Sequence, residues 1–200
     1  MEYCLFQGTF NPVHNAHIRV AEYVLKAFDI DKVIFIPSFI PPHKDPNIVD
    51  AHHRLNMLKI ATRYNDKFEV SDIEIKRGGI SYTYLTILEL SKILKPESRL
   101  KFIIGTDAFK QIETWYETEK LKTMLDFIVF IREDKFDETS IEYLKEKGYN
   151  YQVMKLDYKD ISSTEIREKI KYNQSVADLI SKETEEYIKK YELYKETCKK

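Results

Sequence analysis

The sequence predicts an α/β fold, a doubly wound parallel sheet with helices on both faces and a small C-terminal helical appendage. Two observations carry that prediction. Short apolar, β-branched runs alternate with segments of helical apolar period along most of the chain, a pattern that implies a parallel sheet covered on both sides. At the end of the first run, a Gly-containing turn with Pro12 leads straight into an apolar-periodic segment, so the chain must leave a strand, turn sharply and enter a helix. A length of 200 residues suits one domain, 1–200, with a sizeable core and a C-terminal helical part from about 164.

Taken in order, residues 3–6, 32–36, 68–75, 100–104, 127–131 and 151–156 read as strands because β-branched and aromatic residues dominate them. Residues 16–28, 51–64, 83–94 and 140–147 read as helices from their apolar spacing. Residues 38–50, rich in Pro and polar side chains, form a long loop and not a linker between domains. Its Pro41-Pro42-His43-Lys44 piece is stiff; it either presents His43 and Lys44 to a ligand or makes a surface turn. From Thr184 onward a Lys-, Glu- and Tyr-rich helix closes the chain, packing through Tyr187, Ile188, Tyr191 and Leu193 or Tyr194.

Composition narrows the function classes. Hydrophobic residues make up 43% and charged residues 32%, the balance of an ordinary soluble globular protein. The net charge of −1, with no clustered basic face, argues against a nucleic-acid-binding module and gives no general pull toward an anionic membrane. Any polyanion site must be local. Cys4 and Cys198 lie at opposite ends of the chain and read as reduced thiols, not a disulfide frame or zinc site. No signal-like segment and no long apolar run is present, so a cytoplasmic protein is expected.

The densest chemistry lies in Gly8-Thr9-Phe10-Asn11-Pro12-Val13-His14-Asn15-Ala16-His17. Two histidines three residues apart stand where the glycine turn meets a helix start, beside backbone N–H groups that favour an anion. Small Ala16 between them lets phosphates approach. Toward the other end, Ser162-Ser163-Thr164 suits a helix N-terminus, where one hydroxyl caps while N–H groups and Arg167, one turn on, meet an anion. An ordinary capped helix with a solvent-exposed arginine is the alternative. Both blocks follow expected strands, the first and the last, and face one crevice if those strands lie near each other. Zinc at His14, His17 and His43 fails on context: HxxH at a helix start lacks the i, i+4 spacing and the partner carboxylate of a helical zinc site.

The first block resembles the GxFxPxHxxH signature of the nucleotidylyltransferase superfamily, and Ile161-Ser162-Ser163-Thr164-Glu165-Ile166-Arg167 resembles its ISSTxIR signature. Between them, Ser81-Tyr82-Thr83 after Arg77-Gly78-Gly79, the run Phe102-Ile103-Ile104-Gly105-Thr106-Asp107, and Thr114-Trp115-Tyr116 resemble the nicotinate-mononucleotide adenylyltransferases. Pro41-Pro42-His43-Lys44, Tyr187-Ile188 and Leu193-Tyr194 are similar to that family too, so the likeness runs from Tyr3 to Tyr194.

The resemblance implies a Rossmann-like fold and transfer of AMP from ATP to nicotinate mononucleotide. It implies Mg2+ carried mainly on the ATP phosphates, with no dedicated protein metal site. His14, His17 and Arg167 would be catalytic. ATP would meet Gly8, Thr9, Phe10, His14, His17, Gly105, Asp107, Ser162, Ser163, Thr164 and Arg167. Nicotinate mononucleotide would meet Lys44, Thr83, Asp107, Trp115 and Tyr116. Trp115 is the only tryptophan, and a flat electron-deficient pyridinium ring stacks well on indole. The expected partners are these small molecules, with neither nucleic acid nor membrane, and a homo-oligomer is allowed. Three departures from the family pattern stand out. Asn11 replaces the usual Asp, Ala16 the usual Gly, and Gln7 the first of two glycines, where it would crowd or hydrogen-bond the phosphate loop. Nicotinamide mononucleotide or another phosphorylated acceptor stays open as a substrate, as does a nucleotide-binding sensor without turnover.

Overall fold

β-branched and aromatic runs pair because their apolar side chains are buried under helices, and six of them build one parallel sheet in a computed structural model of the chain. It describes residues 1–42, 48–131, 136–155 and 161–195; His43, Lys44 and Cys198 lie outside the described residues. The strands are β1 (Tyr3–Gly8), β2 (Lys32–Pro37), β3 (Phe68–Val70), β4 (Leu100–Gly105), β5 (Leu125–Ile131) and β6 (Tyr151–Lys155). Their order is β3-β2-β1-β4-β5-β6, with every pairing parallel. The order reverses between β1 and β4, the place where an open parallel sheet binds ligands.

The helices are α1 (Asn15–Ala27), α2 (Ala51–Thr62), α3 (Ile73–Arg77), α4 (Thr83–Leu94), α5 (Thr106–Lys110), α6 (Thr118–Met124), α7 (Thr139–Glu146), α8 (Ser163–Lys171) and α9 (Lys182–Lys190), with a 3₁₀ turn at Ile112–Thr114. Strand alternation sorts the core into two layers. Phe6, Phe35, Ile103 and Phe130 pack with Val20 of α1, Leu58 of α2, Ile166 of α8 and Ile188 of α9. Leu5, Ile36, Phe102 and Val129 pack on the other face with Ile87 of α4, Phe109 of α5, Leu121 of α6 and Leu144 of α7. The C-terminal helices therefore join the main core.

Differences from the sequence reading have local causes. The strand expected over 68–75 stops at Val70, its pairing with β2 running out at Phe35 and ending in a bond from the Ser71 amide to the Phe35 carbonyl. Residues after it coil into α3, burying Glu74, which is 1% exposed. α6 has only Leu121 and Met124 as apolar residues, too few to show a helical period, and forms because Leu121 is wholly buried against the sheet. α9 starts at Lys182, two residues early, because Ser181 caps it by accepting from the Thr184 amide. Of the expected stripe, Ile188 and Leu193 are core, Tyr187 and Tyr194 pack against it, and Tyr191 stays exposed.

The turn after β1 and both ends of the loop between β2 and α2 are tied by one side chain. Arg54 of α2 is fully buried and donates from Nη1 to the Thr9 carbonyl at 2.8 Å, from Nη2 to the Phe39 carbonyl at 3.0 Å and from Nε to the Val49 carbonyl at 3.0 Å. Burial pulls its guanidinium below the ordinary arginine range, against the opposing pull of Tyr194, Asp50 and Glu74. A second tie is Asn11, 3% exposed, whose Oδ1 accepts from the Val49 amide at 3.2 Å and the Tyr194 hydroxyl at 2.9 Å.

Arg54→Met leaves three buried carbonyls without their donor and should destabilise the fold by about 3 kcal/mol or more, a drop in Tm of roughly 6–12 °C by calorimetry. Tyr194→Phe, which leaves Asn11 its bond from Val49, should cost about 1 kcal/mol in the same measurement.

Candidate active site

The turn after β1 is shaped by backbone before it is shaped by side chains. Phe10 adopts a left-handed φ of 50°, and the Asn11-Pro12 bond is cis. Its ring folds back over Gly8, where an added Cβ would come within 3.1 Å of it. That ring is 2% exposed and makes edge contacts with Phe6 at 5.5 Å and His17 at 5.0 Å, so it has little room to yield. Gly8 is thus required by close approach, and Phe10 is a core residue supporting the turn. The Gly8 carbonyl accepts from the Ser38 amide at 2.9 Å, holding the turn to the loop after β2.

His14 and His17 enter the site from the first turn of α1, their rings stacked with centroids 3.6 Å apart. The His14 amide donates to Nδ1 of His17 at 3.3 Å, so that nitrogen is an acceptor and a neutral His17 carries its proton on Nε2. His14 is 4% exposed and His17 only half-buried, which makes His17 the more accessible ring. The helix start offers fewer open donors than its sequence implies. The Asn15 amide is spent on the Leu179 carbonyl at 2.8 Å and the His17 amide on the His14 carbonyl at 3.0 Å.

α8 supplies what α1 lacks. Ser162 caps it, accepting from the Glu165 amide at 3.1 Å. Ser163 Oγ donates to the Pro12 carbonyl at 2.9 Å, and Arg167 donates from Nη1 to the Asn11 carbonyl at 3.0 Å and from Nη2 to Thr164 Oγ1 at 3.2 Å. The hydroxyls of Ser163 and Thr164 are engaged in this docking. Of the first-turn amides of α8, that of Glu165 is spent on the Ser162 cap, which leaves those of Ser163 and Thr164 without an intrahelical acceptor. Arg167 is therefore part of a junction with the first block, not a solvent-exposed arginine on an ordinary capped helix. The two blocks meet although β1 and β6 are not neighbours, since β4 and β5 lie between them.

The other expected residues gather on the opposite face of the sheet. Gly105 ends β4 and caps α5, whose second residue, Asp107, is exposed at the same carboxyl edge. Trp115 follows the 3₁₀ turn, half-buried with one edge toward Phe102 at 6.4 Å. Tyr116 is 49% exposed and lies beside Tyr82 at 4.9 Å and Tyr84 at 6.1 Å. Thr83 opens α4, and its hydroxyl donates to Gln7 Oε1 at 2.7 Å. Gln7 does not crowd the phosphate turn. The two-residue period of β1 sends it to the face opposite Gly8, where Nε2 donates to Glu74 Oε1 at 2.5 Å.

Among the described residues no group of three or more His, Cys, Asp or Glu is placed to hold a metal ion. Cys4 is wholly buried in β1, and burial pushes its thiol far up, so it takes no part. No helix of the described residues is long and apolar enough to cross a membrane. Sequence reasoning missed Arg54 and Glu74. Arg54 had a signal, a cation on the apolar stripe of Ala51, Leu55, Leu58 and Thr62, whereas Glu74 had none.

A family model described as cytidylyltransferase-like matches residues 5–169. A "Probable nicotinate-nucleotide adenylyltransferase" of Fusobacterium nucleatum is 40% identical over 191 residues, 95% of this chain and 98% of the relative. One of the same name from Clostridium tetani is 41% identical over 196 residues, 96% of this chain and 98% of the relative. Among solved structures, Plasmodium falciparum nicotinic acid mononucleotide adenylyltransferase complexed with NaAD is similar with a TM-score of 0.79 at 26% identity, covering 96% of this chain and 97% of that one. With two motif blocks joined at the edge of a parallel sheet and relatives matching it end to end, the chain belongs to the cytidylyltransferase-like family and, within it, to the nicotinate-nucleotide adenylyltransferases.

Proposed function

We infer that this protein transfers AMP from ATP to the 5′-phosphate of nicotinate mononucleotide, giving deamido-NAD and pyrophosphate. The observation that carries the reading is the junction of Ser163 and Arg167 with the Pro12 and Asn11 carbonyls, which gathers Arg167, His17 and the start of α8 around one turn. An acceptor phosphate oxygen attacks the α-phosphorus of ATP, the bond from that phosphorus to the bridging α,β-oxygen breaks, and its electron pair leaves with pyrophosphate. The acceptor is already ionised, so the residues supply alignment and charge stabilisation without a covalent intermediate.

His17, donating from Nε2, meets the α-phosphate. His14 and Arg167, with the amides around Ser163 and Thr164, hold the departing β- and γ-phosphates. Gly8, Thr9, the Phe10 backbone, Gly105 and Ser162 form the ATP side, and Asp107 takes a ribose hydroxyl. Mg2+ bound through the triphosphate supplies charge neutralisation there. On the other face Trp115 stacks on the pyridine ring, and backbone amides near Thr83 and Tyr116 hold the nicotinate carboxylate; Lys44, outside the described residues, is assigned to the acceptor phosphate. The names of the relatives support the acid over the amide, and neither the amide-specific enzyme nor an inactive sensor is favoured.

The test is pyrophosphate release with ATP and Mg2+ against nicotinate mononucleotide, nicotinamide mononucleotide and phosphopantetheine. Fastest release with the nicotinate acceptor supports the reading; equal or faster release with another overturns it. His17→Ala should lower kcat by roughly 10²–10³, as loss of one transition-state donor does, with Tm lowered by only about 2–4 °C for the bond it accepts from the His14 amide. Trp115→Ala should raise KM for the pyridine nucleotide about tenfold and leave that for ATP near wild type, within the range of aromatic and cation–π stacking. An equal rise in both KM values would make Trp115 a packing residue.

A further inference from the structure

The face of β1 opposite the phosphate turn carries a buried polar chain that the reaction as described does not use. Gln7 bridges Glu74 Oε1, to which its Nε2 donates at 2.5 Å, and Thr83, whose hydroxyl donates to its Oε1 at 2.7 Å. Glu74 is 1% exposed and Thr86 wholly buried; the Thr86 hydroxyl donates to the same carboxylate oxygen. Arg77 closes the chain, donating to Thr86 Oγ1 at 3.0 Å and pairing with Glu89 at 3.4 Å. Three segments are held by these bonds: the end of β1, the short helix α3 and the first turn of α4. The cost of burying a carboxylate here is offset only while its donors stay in place.

We propose that Gln7 is a positioning residue for the acceptor half of the site, setting the first turn of α4 through Thr83. The inference rests on the reading that amides near Thr83 hold the nicotinate carboxylate. Tyr82, the N-cap of α4, makes no side-chain cap bond; Ser81 before it is tied to the loop after β2, and the bond from Thr83 to Gln7 fixes the first residue of the helix itself. The amides of Thr83 and Tyr84 precede the first intrahelical bond, which runs from the Leu85 amide to the Tyr82 carbonyl, and Gln7 holds Thr83 beside them while Glu74 holds Thr86 one turn on. Gln7 sits one residue before Gly8, so the central strand registers the acceptor helix on one face and the phosphate turn on the other. A carboxamide suits the bridge because it donates to the Glu74 carboxylate and accepts from the Thr83 hydroxyl at once. A glycine leaves that gap unbridged.

The experiment is steady-state kinetics of wild type, Gln7→Met, Thr83→Val and the double variant, with Tm measured for each. Methionine keeps the volume of Gln7 and removes both of its hydrogen bonds. Gln7→Met should raise KM for nicotinate mononucleotide roughly five- to tenfold, in line with loss of one or two hydrogen bonds, while KM for ATP stays at the wild-type value. Thr83→Val, which cuts the same link from its partly exposed end, should reproduce that rise. The double variant should be no worse than either single one, because both remove one interaction. Unchanged KM values in both single variants, equal rises for both substrates, or multiplying effects in the double variant would each overturn the proposal. If wild type itself releases no pyrophosphate with nicotinate mononucleotide, the functional reading fails and takes this inference with it.

Discussion

A guanidinium with no exposure to solvent sets the shape of the carboxyl edge. Arg54 spends its donors on the carbonyl of Thr9 in the turn after β1 and on those of Phe39 and Val49 at the two ends of the loop between β2 and α2, adding to the bonds from Ser38 to Gly8 and from Val49 to Asn11. Those loops are polar backbone lying against an apolar sheet, and their carbonyls need partners that water cannot reach. One planar cation satisfies three at once, and only arginine has donors fanned widely enough to do so. The Phe10 ring over Gly8, the Asn11 hub and the docking of α8 all hang on the turn this side chain holds in place.

Strand alternation then divides the labour. Within β1, Gly8 faces the layer of α1 and α8 and Gln7 faces the layer of α3 and α4, so adjacent residues serve different halves of the site. The phosphate-facing groups lie above one face and the aromatic groups around Trp115 above the other. They meet where β1 and β4 end side by side, at Gly8 and Gly105, the point where the strand order reverses. The proposed two-substrate transfer suits this geometry, because groups from both layers converge on the edge where the reacting phosphates would meet.

Much of this was legible in the residues. The glycine turn, the histidine spacing and the serine cap of α8 follow from interactions over four residues or fewer, and the cap is present as expected, with Ser162 accepting from Glu165. Helix α4 matches its expected bounds because its apolar period is complete. Glu74 was not legible. Its carboxylate is buried by partners 67 and 12 residues away, and its surroundings read as the continuation of a strand. The direction of Gln7 was obscured for a related reason: a resemblance that places glycine at this position carries no information on what a side chain there would touch.

The sequence by itself determined the alternation of strands and helices, hence a parallel doubly wound sheet, and the residue types at each loop that are suited to phosphate and to a flat ring. It did so because period, capping and turn chemistry act between near neighbours. Tertiary structure alone decided that Ser163 and Arg167 close on Pro12 and Asn11 across 151 and 156 residues, and that the Asn15 amide at the start of α1 is spent on the Leu179 carbonyl. Such meetings depend on how two sheet layers pack and on which buried carbonyl finds which donor, and no local pattern encodes either.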